Sequence, residues 1–213
     1  MSLLKNIKFS DHLKLSILIP LIFTVINWTV MIIAAIFKIS LGADWGILPR
    51  SIDHIQGIIT SPMVHGDFAH LSSNTLPAFF MGVAILYFYR ESGYKAALIC
   101  YIAPGLLVWI FGRESYHIGA SGVIYALAAF LFFSGVFKRD IRSIGISLLV
   151  VLFYGGMVYG VFPGAPNISW ESHLLGAVAG AVTAFIFRKK DKIRKYDWED
   201  EDEEADFNEY QSR

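Results

Sequence analysis

The stretch Tyr116-His117-Ile118-Gly119-Ala120-Ser121-Gly122-Val123-Ile124-Tyr125 sets a serine between two glycines at the head of an apolar run. From Val123 to Phe137 that run carries no charged residue. A hydroxyl at the mouth of a hydrophobic segment must be hydrogen-bonded or used, because a polar group away from water is costly. Two further apolar runs carry polar side chains at a comparable depth, Asn74 in one and His173 in another.

Working outward from Ser121, the chain divides into six apolar runs separated by short polar breaks: residues 15–37, 68–89, 96–111, 119–137, 141–161 and 172–187. The first is long enough, at about 1.5 Å per residue, to cross a hydrocarbon core of about 30 Å with room for tilt. With 55% hydrophobic residues and a mean hydropathy of +0.52, the chain is too apolar for an ordinary soluble domain. The runs are too many for a signal peptide. The expected fold is therefore an all-α membrane protein of six transmembrane helices. Residues 1–14 form a basic lead, residues 15–187 the helical core, and residues 188–213 a tail that is basic first and then acidic. The segment from Asp191 onward holds 10 of the 18 acidic residues, and this composition predicts a disordered tail. The single cysteine, Cys100, lies inside an apolar run, which excludes a disulfide framework and a cysteine-based metal site.

Basic residues set the expected orientation. With the N-terminus inside, the inner segments hold 15 of the 18 Lys and Arg residues, and the outer segments hold Lys38, Arg50 and Arg113. The positive-inside rule then places both termini in the cytoplasm. This topology signal accounts for the basic clusters without any nucleic-acid role.

On this topology the second, fourth and sixth spans run in the same direction, ending at Arg90, Lys138 and Arg188. Counting back, Asn74, Ser121 and His173 stand roughly 22 to 26 Å above those anchors at about 1.5 Å per residue. Polar side chains inside spans face the protein interior and tend to mark function. His70 and Asn74, four residues apart, share one helix face, and Asp67 is placed to cap that helix. On the sixth span Gly176 and Gly180 form a GxxxG stripe extended by Ala184, with His173 on the same face. The fourth span offers Gly119, Gly122 and Ala126. Packing one small-residue stripe on the other brings Ser121 to His173.

The chemistry follows from these residue types. A serine is a weak nucleophile until a base removes its proton, and His173 is the candidate base. An acyl oxyanion needs preorganised donors, for which the backbone N–H of Ser121 at a helix N-terminus, the Asn74 amide and the His70 ring are candidates. Glu171 is assigned to the loop before the sixth span and is not placed to orient His173, so a Ser–His dyad is expected rather than a triad. No cofactor or metal is called for.

These residues resemble those of rhomboid intramembrane serine proteases, across residues 15–187. Gly119-Ala120-Ser121-Gly122 matches the family's G-x-S-G. His65, His70 and Asn74 match its H-x-x-x-x-H-x-x-x-N. His173, Gly176 and Gly180 match its histidine-and-glycine signature, and Tyr125 matches an aromatic that packs on the catalytic histidine. The segment 46–49, followed by Thr60-Ser61, resembles the family's membrane-embedded first loop. One departure is that Gln56-Gly57 stands where many members carry Trp-Arg, which leaves open how this loop is held. The resemblance is to the compact six-span bacterial form in an inner membrane, with the site open to the outer face. It implies hydrolysis of peptide bonds in or near transmembrane segments of membrane proteins that carry helix-weakening residues, with the lipid bilayer as surroundings. The resemblance makes Ser121 and His173 catalytic and Asn74, His70 and Ser121 oxyanion-stabilising. His65, Gly119, Gly122, Tyr125, Gly176 and Gly180 support them. The fifth span and residues 162–170 are a candidate gate, with Gly155-Gly156 as its bend. The sequence assigns no oligomeric state.

Two other classes compete. A catalytically inactive client-binding relative would be expected to lack the serine or the histidine, and both are present. A small transporter using His65, His70 and His173 would be expected to carry an acidic residue inside a span, and none lies there. The zinc motif H-E-x-x-H is absent. His12, His54 and His117 are read as interfacial.

Overall fold

The computed structural model describes residues 9–164 and 169–191. The tail beyond Asp191 and most of the N-terminal lead fall outside the described residues. Eight α-helices follow one another among the described residues: α1 (Phe9–Phe37), α2 (Gly42–Trp45), α3 (Gly57–Thr60), α4 (Phe68–Phe88), α5 (Gly93–Phe111), α6 (Ser121–Lys138), α7 (Ile141–Tyr154) and α8 (Trp170–Ile186). Among the described residues there is no β-strand, only an isolated bridge between Ile47 and His117.

Five of the long helical segments are long and apolar enough to cross a membrane, and α8, at 17 residues, is a shorter apolar helix. Their outward faces are apolar too: Leu18, Ile22 and Ile33 on α1 and Leu148, Leu152 and Phe153 on α7 are exposed. A helix satisfies its backbone internally, so an apolar exterior suits lipid. Some boundaries differ from the sequence reading. The helix carrying the serine starts at Ser121 rather than at residue 119. The last helix starts at Trp170, so Glu171 lies in its first turn rather than in a loop. The fifth span is α-helical only to Tyr154 and continues as a 3₁₀ helix over Gly155–Val161.

Helix α6 is the centre. It packs most extensively on α8 and also meets α4, α5 and α7. The α6–α8 seam exists because small residues face each other. A Cβ at Gly176 would overlap the Gly122 carbonyl oxygen, and a Cβ at Gly180 would overlap the Ala126 carbonyl oxygen and lie 2.9 Å from Ala126 Cα. Gly119 has a different neighbour: with φ of +103° it turns the chain into α6, and a Cβ there would sit 2.7 Å from His70 Cε1. It therefore packs on α4, not on the α8 stripe. Far from Ser121 the core closes around Tyr89 and Phe130, whose rings meet edge to face at 5.1 Å, with Met81, Ile85, Cys100 and Leu131 buried nearby. Lys138 and Arg142 sit over the Tyr89 ring at this end, where a cation on an aromatic face adds to the packing.

The first loop, residues 38–67, is held without a Trp-Arg pair. Gln56 Nε2 donates to the Asp44 carbonyl at 3.1 Å and Thr60 Oγ1 donates to the Trp45 carbonyl at 2.8 Å. Gly57 lies so close to the facing Gly46-Ile47 backbone that a Cβ would be 2.8 Å from Ile47 Cα. Arg50 donates from its backbone to the Trp109 carbonyl at 2.9 Å and from its guanidinium to the Gly112 carbonyl at 2.8 Å. Gln56-Gly57 thus holds this loop by one amide hydrogen bond and a close backbone approach.

Candidate active site

Ser121 is the first residue of α6 and His173 lies in the first turn of α8. Because Gly122 and Gly176 let the two backbones meet, Ser121 Oγ comes 2.9 Å from His173 Nε2. His173 Nδ1 is 2.9 Å from the Gly160 carbonyl oxygen. A carbonyl oxygen only accepts, so Nδ1 carries the hydrogen and Nε2 presents its lone pair to the Ser121 hydroxyl. A backbone carbonyl occupies the place a triad gives to a carboxylate. Glu171 points elsewhere: its buried carboxylate pairs with Arg113 at 3.3 Å.

Tyr125, one turn along α6, stacks on the His173 ring with centroids 4.2 Å apart and planes 8° from parallel. Its hydroxyl donates to the Met157 carbonyl at 2.7 Å. Both carbonyls that fix the histidine and its stacking partner therefore come from the 3₁₀ segment after α7. Gly160 is obligatory for this approach, since a Cβ would overlap the Tyr125 hydroxyl and lie 3.1 Å from His173 Nδ1.

On the opposite side stands α4, started by Asp67, whose carboxylate accepts the His70 backbone N–H at 2.7 Å. Asn74 Nδ2 donates to His65 Nε2 at 3.1 Å, and the Ala120 backbone N–H donates to the same nitrogen at 3.3 Å. His65 is thus buried behind the site. Burial first, and the neighbouring His70 second, push its pKa from 6.5 down to about 4. A neutral His65 keeps the accepting lone pair that orients the Asn74 amide. An amide nitrogen has two hydrogens, and Asn74 lines the same cleft as Ser121. His70 packs edge to face on His65 at 5.0 Å. His70, Asn74, Ser121, Tyr125, Met157 and His173 line one cleft of about 710 Å³.

The candidate site residues His70, Asn74, Ser121, Tyr125 and His173 gather at this cleft, with Gly122, Gly176 and Gly180 in the seam, Gly119 against His70 and His65 behind Asn74. Three participants were not legible in the sequence. The carbonyls of Gly160 and Met157 act through the backbone, which leaves no residue-type signal. His117, read as interfacial, is buried, as is His12, which reaches the Tyr87 carbonyl at 3.2 Å.

A rhomboid-domain family profile matches residues 53–190. An uncharacterized protein of Mycobacterium tuberculosis is 36% identical over 150 residues, 66% of this chain and 62% of the relative. An uncharacterized protein of Mycobacterium leprae is 33% identical over 158 residues, 66% of this chain and 59% of the relative. The Bacillus subtilis protein named "Putative rhomboid protease YdcA" is 26% identical over 144 residues, 65% of this chain and 70% of the relative. The chain spans about three fifths of the length of the mycobacterial relatives. The matched region contains His65, His70, Asn74, Ser121 and His173, and the apolar helices that carry the last four make an integral membrane protein: the chain belongs to the rhomboid family.

Proposed function

We propose that the chain is an intramembrane serine endopeptidase that cuts transmembrane segments of membrane proteins by a Ser121–His173 dyad. The observation that carries this reading is the 2.9 Å contact between Ser121 Oγ and His173 Nε2, with Nδ1 committed to Gly160. That tautomer is the one general-base chemistry needs. His173 takes the Ser121 proton as Oγ attacks the substrate carbonyl carbon. The carbonyl oxygen becomes an oxyanion beside the Asn74 amide, the His70 ring and the Ser121 backbone N–H, which as a first-turn donor has no intrahelical partner. His173 then gives its proton to the leaving amine, and a water drawn through the cleft hydrolyses the acyl-enzyme with His173 again as base.

The same reading makes residues 15–187 a six-helix core, with α8 as the sixth span. Both termini face the cytoplasm of a bacterial inner membrane and the cleft opens to the outer face, which the distribution of Lys and Arg supports. A helical substrate has its carbonyls bonded internally, so a segment weakened by Gly or Pro is the expected substrate.

Cleavage of a transmembrane model substrate by the purified chain in liposomes tests the proposal, with a chelator present. Wild type should cut, while Ser121→Ala and His173→Ala should each lose about 10³-fold or more. Undiminished cleavage by Ser121→Ala would overturn it.

A further inference from the structure

His117 lies four residues before Ser121, and Ser169 lies four residues before His173. The two are bonded: His117 Nδ1 meets Ser169 Oγ. His117 Nε2 is 3.1 Å from the Arg113 carbonyl oxygen, so Nε2 donates there and Nδ1 accepts the Ser169 hydroxyl proton. Burial lowers the pKa of His117 below its usual value, which keeps Nδ1 free of a proton at neutral pH. Ser169 Oγ in turn lies 2.7 Å from Ser172 Oγ. The Ser172 carbonyl is packed on Gly122, where a Cβ would lie 3.3 Å from it. The segment entering α6 and the first turn of α8 are therefore joined by two rungs of the same chemistry. In each, a serine hydroxyl donates to an imidazole whose other nitrogen donates to a backbone carbonyl. The lower rung is Ser121–His173, and the upper is Ser169–His117 with donor and acceptor exchanged between the arms.

The upper rung has a second anchor. The His117 backbone is bonded both ways to Ile47, N–H to carbonyl at 2.9 Å in each direction. One residue thus ties the first loop, the approach to Ser121 and the start of α8. We propose that His117 is a positioning residue for the dyad, fixing the register of α8 on α6 through Ser169 so that His173 Nε2 stands in line with Ser121 Oγ. The role is distinct from the glycine seam. The seam sets how close the helices lie, and the rung sets how far one has slid along the other. The proposal rests on the serine-protease reading of Ser121 and His173.

The test uses the full chain in liposomes with His117→Leu, Ser169→Ala, the double variant and His117→Asn, whose amide oxygen can take the place of Nδ1. Readouts are kcat and KM on the model substrate, the rate at which a fluorophosphonate labels Ser121, and thermal unfolding. Displacing a reacting group by a fraction of a turn costs about tenfold to a hundredfold in rate. His117→Leu and Ser169→Ala should each lower kcat and the labelling rate by that much with KM nearly unchanged. The double variant should lose clearly less than the product of the two single losses, since both changes break the same His117–Ser169 bond, and His117→Asn should recover most of the rate. Losses that multiply would overturn the proposal, as would a His117→Asn variant as slow as His117→Leu. If His117→Leu does not fold, Ser169→Ala against wild type decides alone. A wild type that cuts and labels normally beside variants of equal rate sinks the rung and leaves the protease reading intact. A wild type that neither cuts nor labels sinks both.

Discussion

The α6–α8 seam and the segment built from α7 and its 3₁₀ extension both touch His173, yet they are built in opposite ways. Most of α6 is buried and its glycine contacts with α8 are backbone to backbone. Little of α7 is buried; Leu148, Leu152 and Phe153 are exposed on it and Tyr159 on its extension. The seam presents His173 to Ser121. The loose segment supplies the Gly160 carbonyl that selects the histidine tautomer and the Met157 carbonyl that holds Tyr125. Elements with few buried apolar contacts open at low free energy, so on the protease reading α7 is the element expected to move when a substrate enters, while the seam keeps Ser121 and His173 together. On the protease reading, such an opening releases Nδ1, and the proposed base is fully set only when the segment returns.

The largest expected effect comes from breaking the seam. Gly180→Val places a side chain on the Ala126 backbone, which cannot move alone, and overpacking of this kind costs about 3 kcal/mol. A marked fall in unfolding temperature together with loss of cleavage is expected; an unchanged unfolding temperature would refute the comparison. Next is the loose side. Gly160→Ala should leave unfolding nearly unchanged while lowering kcat about tenfold, because it displaces one hydrogen bond to His173. A drop in unfolding temperature as large as that of Gly180→Val would show α7 to be as integral as α8. Smaller still, Tyr125→Phe keeps the stacked ring and loses only the bond to Met157, worth about 1 kcal/mol. Steady-state kinetics should show a change of a few-fold, and Tyr125→Leu should show more.

The last effect concerns stability on the rigid side as a function of pH. His65 has a folded-state pKa of about 4 against 6.5 in the unfolded chain, with His70 and Asp67 as its charged or titrating neighbours. Between those values the unfolded chain binds more protons. The contribution is therefore fully present above about pH 6.5 and is lost as pH falls toward 4. Unfolding followed at pH 7 and pH 5 should differ by about 2 kcal/mol. Because burial also lowers the pKa of His117, His117→Asn should reduce the difference.

Much of the site was legible in the sequence because it depends on residue type and spacing. His70 and Asn74 at i, i+4 fall on one helix face whatever the helix packs against. Gly176, Gly180 and His173 identify a close-packing face with a base beside it, and Gly122 and Ala126 identify its counterpart. The apolar runs determine helices, since a backbone in lipid must bond to itself. Other features depend on which backbone atoms meet across the chain, and no residue type encodes that. The Gly160 carbonyl at His173, the removal of Glu171 to Arg113, the turn of Gly119 toward His70 and the burial of His117 all belong here. Gly160 in sequence reads as a flexible turn residue; only the fold reveals that a Cβ there would meet Tyr125. Residue type and spacing thus carry the helices and the candidate reactive groups on them. Which nitrogen of His173 holds a proton follows from the fold instead, because it depends on a carbonyl brought from 13 residues away by the 3₁₀ segment after α7.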